Sequence, residues 1–257
     1  MSDIVISEIK RDHIVKLLKD GKREDGRGVQ DYRDISFVTN CIESADGSAR
    51  VKLGKTEVIA GVKIIPGTPF PDTPKEGVLT TGMEFLPMAH ASFESGPPGE
   101  DAIELARVVD RGIRESKMVD VEALCVEEGV KVWMCFIDMY ALDYDGNLFD
   151  AANLAAVLAL KTAIVPYEQY ELGENKPLPV TCTPISITAA KIDNTLILDP
   201  NFDEEHISTA RLTVTTDDNG NFRAMQKGGK GSITLDELSQ CLDAAVAKGK
   251  EIRKIIG

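Results

Sequence analysis

Arg107, Arg111 and Arg114 are the residues best placed to do chemistry with an anion. Their i, i+4, i+7 spacing puts three guanidinium groups on one helical face within roughly 60° of arc. Planar guanidinium forks suit phosphate oxygens and can grip them in pairs. Ala102, Leu105, Ala106, Val109 and Ile113 fall on the other side, so a helix predicted over 101–117 has an apolar seat. The same spacing also describes a solvated face with local ion pairs, Asp110 with Arg114 among them. On pattern alone that second reading is favoured, because such faces are common.

Three other clusters invite a chemical reading. Arg23-Glu24-Asp25-Gly26-Arg27 with Tyr32-Arg33 is either an anion site or a charged turn, and by itself reads as the turn. Gly228-Gly229-Lys230-Gly231-Ser232 lacks the spacing of a phosphate loop and follows a hairpin strand, so a flexible loop is expected. Asp199, Asp203, Glu204 and Glu205 have the composition of a metal or general-base site, but acidic loop clusters of this kind are usually solvated. The five cysteines have no metal-ligand spacing and read as core thiols. With three scattered histidines, neither a zinc site nor a His-based triad has a foundation, and no metal or cofactor is expected. A net charge of −13 argues against a surface that binds polyanions everywhere, so any nucleic-acid contact must be local. No apolar run approaches the length of a membrane span or a secretory signal, which points to a cytoplasmic chain with no membrane role.

The elements that must position these residues centre on 132–165. Val132 to Tyr140 is apolar enough for a strand buried on both faces, with Trp133 in the core. Ala151 to Leu160 is rich in strong helix formers, apolar nearly all round, and should lie inside the domain. Asp143-Tyr144-Asp145-Gly146-Asn147 turns the chain between them, with Asp150 placed as the helix N-cap. Such a strand–turn–helix aims free N–H groups at the turn, a natural phosphate cradle. Here it carries Asp143, Asp145 and Asp150 and no basic residue, which repels an anion.

Before this centre, the pattern predicts an amphipathic helix over 4–19 and strands over 35–42, 49–53 and 57–65, the first two joined by a hairpin signal at Asp46-Gly47-Ser48. A proline-rich loop covers 66–77, and a strand is expected over 121–126. After it come strands over 183–190 and 195–199, then a hairpin around Asp217-Asp218-Asn219-Gly220, then a helix over 235–256. The order points to an α+β fold in two lobes, mixed sheets packed with helices. The expected divisions are an N-terminal helix over 1–20, one lobe over 21–172 and a second over 173–257.

Several motifs occur together. Arg23–Arg27 with Tyr32-Arg33, Asp46-Gly47-Ser48-Ala49-Arg50-Val51, Gly54-Lys55-Thr56-Glu57-Val58, Glu104-Leu105-Ala106-Arg107-Val108-Val109 and Ile197-Leu198-Asp199-Pro200 resemble, in order and spacing, the RNase PH family. Ser92 to Glu100 and Leu142 to Asn147 are similar to the non-catalytic RNase PH-like subunit of the archaeal exosome. The resemblance covers nearly the whole chain. It implies a two-lobed α+β fold and phosphorolytic trimming of RNA 3′ ends by hexameric rings.

Departures from the family's catalytic pattern are equally specific. Where active members bind phosphate with a Gly-Gly-Ser-Arg turn, this chain has Gly146, Asn147, Leu148 and Phe149. Where they place two arginines before the helix, it has Glu100 and Asp101. Exchanging cations for carboxylates turns attraction for a phosphate dianion into repulsion. At the family's general-acid aspartate this chain reads Ala210-Arg211. The resemblance therefore implies a chain without an active site, paired with the catalytic RNase PH-like exosome subunit in heterodimers that close a hexameric ring. RNA-binding cap subunits and single-stranded RNA are the other implied partners. Arg107, Arg111 and Arg114 then become RNA ligands, with Arg111 and Arg114 preferred because Arg107 lies a turn deeper. The rival expectations are an autonomous phosphorolytic ribonuclease and a small-molecule kinase of related fold using the loop at Gly228.

Overall fold

The computed structural model describes residues 8–257. In chain order the elements are α1 (Glu8–Lys19), β1 (Ile35–Thr39), β2 (Gly47–Leu53), β3 (Thr56–Gly67), β4 (Val78–Phe85), α2 (Glu100–Glu115), β5 (Cys125–Glu127), β6 (Lys131–Asp143) and α3 (Leu148–Lys161). They continue through β7 (Ile164–Val165), β8 (Lys176–Pro177), β9 (Ile185–Ile192), β10 (Thr195–Leu198), α4 (Phe202–Ile207), β11 (Ala210–Thr216), β12 (Phe222–Gly228) and α5 (Leu235–Ile256). One large sheet runs β1-β2-β3-β6-β4 with β5 attached to β6, a second runs β10-β9-β11-β12, and β7 pairs with β8 alone. The fold is α+β, as expected.

Between the two sheets lies α3, every residue of which is buried except Lys161. Its alanines keep the helix thin enough for both sheets to approach. At Gly47 a Cβ would sit 2.5 Å from the Ala159 carbonyl, so β2 can cross the helix only with glycine there. One continuous apolar core follows, drawing on β2, β3, β6, β9 and β11 around this helix and on the buried face of α2. Trp133 is fully buried, as expected, against Tyr167 and Tyr170. Among the described residues, no helix is long and apolar enough to cross a membrane.

Two local expectations are corrected. Instead of being covered on both faces, β6 alternates: Trp133, Cys135, Ile137, Met139 and Ala141 are buried, whereas Met134, Phe136, Asp138 and Tyr140 look outward. The run 121–126 begins as a 3-10 turn, Glu122–Leu124, before three residues of β5. The N-terminal helix is described from Glu8, and residues 4–7 of the expected helix lie outside the described residues. It seats Ile14 and Leu18 against Ala190, Ile192 and Ile197. In addition, Val78–Phe85 forms a strand parallel to β6. Of the cysteines, Cys135 and Cys241 are core thiols whose burial raises them to about 12 and about 11. Cys41 is exposed, against expectation.

Candidate functional site

The turn between β6 and α3 is built on a left-handed residue. Asn147 has φ 55° and ψ 49° and is the N-cap of α3, its side-chain oxygen accepting from the Asp150 N–H at 3.4 Å. Asp150 is therefore not the cap but lies inside the first turn. Its carboxylate is fully buried and accepts from the Tyr32 hydroxyl (2.7 Å), the Asn147 amide (2.8 Å), and the Thr188 N–H (3.0 Å) and hydroxyl (2.7 Å). Burial pushes this carboxyl up to about 6, against the pull of those donors. Just before the cap, Gly146 has φ 84°, and a Cβ there would meet the backbone of Asn201 at 2.4 Å. Only glycine lets the turn pack on the loop that follows β10.

Behind the turn, the basic N-terminal segment and the acidic loop prove to be one buried network. Asp199 accepts from Arg33 (2.7 and 2.9 Å), Arg27 (2.9 Å) and Asn147 (2.8 Å). Its burial alone would raise the carboxyl, but these donors hold it below the usual range. Arg23 and Glu204, both almost fully buried, form a two-point ion pair, and Arg23 also donates to the carbonyls of Leu198 and Asp199 at 2.8 Å. The acidic cluster is therefore not the solvated loop expected of it, whereas Arg23–Arg27 does turn as expected, the Gly26 N–H donating to the Arg23 carbonyl at 3.0 Å. Glu204 also closes a capping box with Asn201, so 202–207 is a helix rather than a loop.

In front of the turn, the N–H groups that open α3 are covered by this chain's own side chains. The Asn147 N–H donates to Glu205 Oε2 at 2.8 Å, and the Tyr144 hydroxyl donates to the same oxygen at 3.3 Å. Leu148 and Phe149 are buried. The Arg211 guanidinium lies over the Phe149 ring, 3.8 Å from its centroid, and bonds Glu104 at 3.0 Å with Glu205 3.8 Å away. The space left among these side chains is about 10 Å³, the lower limit for one water molecule. Asp101 lines the same place, and Glu100 and Asp101 form the first turn of α2, where carboxylates neutralise the helix's positive end. Among the described residues lining this place, an incoming phosphate would meet the carboxylates of Asp101, Glu104 and Glu205 and a guanidinium already engaged by two of them.

The glycine-rich run 228–232 serves this arrangement. A Cβ at Gly228 would come within 2.8 Å of Arg211, and one at Gly229 or Gly231 would strike the Thr209 carbonyl. Gly231 donates to that carbonyl at 2.7 Å. The segment is thus packed, not a flexible loop: Gly228 makes room for Arg211, and Gly229 and Gly231 for the Thr209 backbone.

The outer face of α2 is the opposite kind of surface. Ala102, Leu105, Ala106, Val108, Val109, Gly112 and Ile113 are buried against β4, α3 and β12, while Arg107, Arg111 and Arg114 are exposed. Arg114 is held by Asp110 at 2.9 Å and donates to the Leu79 carbonyl at 3.1 Å. Arg111 only grazes Gln226, at 3.5 Å. Arg107 has no ion pair or hydrogen bond among the described residues. The arginine tied into the structure is therefore Arg114 and not Arg107, the reverse of the expected order. Sequence reasoning gave Glu104 no role of its own and read Glu205 only as part of a solvated acidic cluster; the Asn201-x-x-Glu204 spacing was a legible helix-start signal for the element that carries Glu205.

Two large sheets, a buried helix between them and a turn covered by the chain's own side chains define the class. Residues 31–166 match the first domain of the 3′ exoribonuclease (RNase PH) family and residues 182–248 match its second domain. The chain belongs to this family. It is 50% identical over 254 residues to the exosome complex component Rrp42 of Methanocella arvoryzae, covering 99% of this chain and 98% of that one. It is 52% identical over 250 residues to the component of the same name from Thermoplasma volcanium, covering 97% and 96%. Among solved structures, a chain of the Archaeoglobus fulgidus exosome with RNA bound to the active site superposes with a TM-score of 0.95. That match has 46% identity and covers 97% of this chain and 98% of the other.

Proposed function

We propose that this chain is a non-catalytic subunit of a 3′-to-5′ phosphorolytic exoribonuclease ring, paired with a catalytic homologue and holding the RNA near its 3′ end. Phosphorolysis needs orthophosphate beside the last phosphodiester. The observation that carries the reading is the Glu205 carboxylate on the Asn147 N–H, with Arg211 stacked on Phe149, where a phosphate would have to enter. The same substitutions remove the hydroxyl, the cation and the acid that the family's chemistry uses.

What remains for RNA is the arginine face. Arg107 and Arg111 are free to reach phosphate oxygens, and Arg114 can add to them by giving up part of its hold on Asp110. A narrow local lining of cations suffices to guide one strand through a ring whose subunit is otherwise acidic. Relatives named as exosome components support the ring assignment, with RNA-binding cap subunits as further neighbours. The test is to mix the chain with the catalytic RNase PH-family subunit of its ring. Phosphorolysis well above the sum of the separate activities is expected; additive activities would refute the pairing.

A further inference from the structure

Gln226 stands where the covered turn and the arginine face meet. It lies on β12, the edge strand of the second sheet, and shares a face with Ala224 and, across the register, with Thr213 and Thr215 of β11. Helix α2 comes down on this face at Gly112, where a Cβ would lie 3.2 Å from the Thr215 side chain. Glu104 and Arg111 are two turns apart on that helix, about 10 Å along its axis, and stand on the same side. Gln226 bridges them. Its Nε2 donates to Glu104 Oε1 at 3.3 Å, and its Oε1 accepts from Arg111 Nη1 at 3.5 Å.

Chemistry fixes which way the carboxamide is turned. A carboxylate only accepts and a guanidinium only donates, so the nitrogen must face Glu104 and the oxygen Arg111. The orientation has a backstop, because Glu104 Oε1 also accepts from Arg211 at 3.0 Å and Arg211 is stacked on Phe149. Both bonds of Gln226 are long, and together they use one of its two N–H groups and one of its two lone pairs. One donor and one acceptor are left without a partner among the described residues, on a half-buried side chain.

Arg107 lies on the same side of α2, one turn before Arg111 and about 6 Å away along the axis. Two neighbouring phosphates held by these arginines are joined through one ribose, so the part of the strand nearest Gln226 is sugar, with the base edges farther out. We propose that Gln226 reads the 2′-hydroxyl of that ribose and so makes the arginine face selective for RNA over DNA. A 2′-hydroxyl both gives and takes a hydrogen bond, which matches the donor and the acceptor that Gln226 has left. A phosphate oxygen would use only the donor, and the guanidinium groups alongside serve it better.

The role of Gln226 rests on Arg107 and Arg111 holding the strand. The test is filter binding to the assembled ring in phosphate-free buffer, with a single-stranded RNA, the same RNA carrying one 2′-deoxy nucleotide at each position near its 3′ end, and the all-deoxy strand. Gln226→Met keeps the length of the side chain and should fold; Gln226→Ala is a second variant with the same loss, and circular dichroism verifies both. In the parent ring, deoxy substitution at one position should weaken retention about fivefold through the lost hydrogen bonds. In either variant RNA retention should fall by about the same factor, and that position should become indifferent to deoxy substitution. The salt slope should stay unchanged, because no phosphate contact is lost. Deoxy costs that match at every position between parent and variants would overturn the assignment, as would an equal loss for RNA and the all-deoxy strand. If the Arg107→Ala, Arg111→Ala double variant retains RNA as the parent does, the arginine face itself is misread and the role of Gln226 falls with it.

Discussion

The two ends of α2's chemistry differ in one respect: who supplies the counter-charge. Towards the α3 turn, the charged groups meet the chain's own, Arg211 with Glu104 and Glu205, and Asn147 bonds Asp150, Asp199 and Glu205. On the outer face of the helix, Arg107 has no such partner among the described residues and Arg111 has a weak one. A group already satisfied inside the fold has little left to offer a ligand, whereas an exposed, unpaired guanidinium keeps its full valence. The same helix therefore closes one site and opens another. The difference teaches that the site proposed here to be non-catalytic is one that the chain's own side chains fill, not one merely stripped of reactive groups.

The contrast should break hardest on the sealed side. Arg211→Ala leaves Glu104 and Glu205 without their cation in a poorly solvated place and should cost about 3 kcal/mol of stability, read from urea unfolding. Arg107→Ala, by comparison, should stay within about 0.5 kcal/mol of the parent. If the two cost the same, the distinction between spent and free arginines is wrong.

RNA binding should show the reverse order. In the assembled ring, Arg107→Ala with Arg111→Ala should weaken retention of single-stranded RNA about tenfold or more and lower the salt slope by about 0.7 for each phosphate no longer neutralised. Arg114→Ala should do less, since its guanidinium is already engaged by Asp110 and Leu79. Filter binding across a salt series measures both.

Acidity sharpens the comparison further. Asp199 is held low by Arg33 and Asn147 against its burial, and Asp217, buried but bonded by Asn221 and Arg223, sits at about 2. Depressed carboxyls stabilise the fold above the unfolded value of about 3.9 and lose that contribution as pH falls through their folded values. Asp150, raised to about 6, acts with the opposite sign: the fold gains as it protonates between about pH 6 and the unfolded value. Urea midpoints should therefore hold or rise slightly from pH 7 to 5 and fall below about pH 4. A steady decline from pH 7 downwards would contradict the assigned network.

The smallest expected effect is a failure to restore. Leu148→Ser with Phe149→Arg re-creates the family's turn chemistry, yet Glu205 still covers the Asn147 N–H and Arg211 no longer has a ring to lie on. Calorimetry with orthophosphate should register no binding to this variant. Saturable heat would mean that two residues alone hold the site shut.

What could be read from the chain tracks the range of the interactions involved. The helix over 235–256 and the arginine face of α2 follow from local period, and both elements form within a residue or two of expectation. The cap of α3 was displaced by three residues because Asn147 adopts a left-handed conformation, which a residue-type rule for Asp150 does not register. The buried acids were illegible for a different reason. Glu204 looks solvated until Arg23, 181 residues away, is brought against it, and Asp199 until Arg33 arrives from 166 residues away. Gly228 likewise acquires its meaning from Arg211, and Gly229 and Gly231 from Thr209, contacts across a hairpin rather than a motif.

The most direct test is a titration of the purified, partnerless chain with orthophosphate, alongside an assay of RNA phosphorolysis. A closed pocket predicts no saturable binding at millimolar phosphate and no release of nucleoside diphosphates. Saturable binding at the turn formed by Gly146–Asp150, accompanied by turnover, would contradict the account.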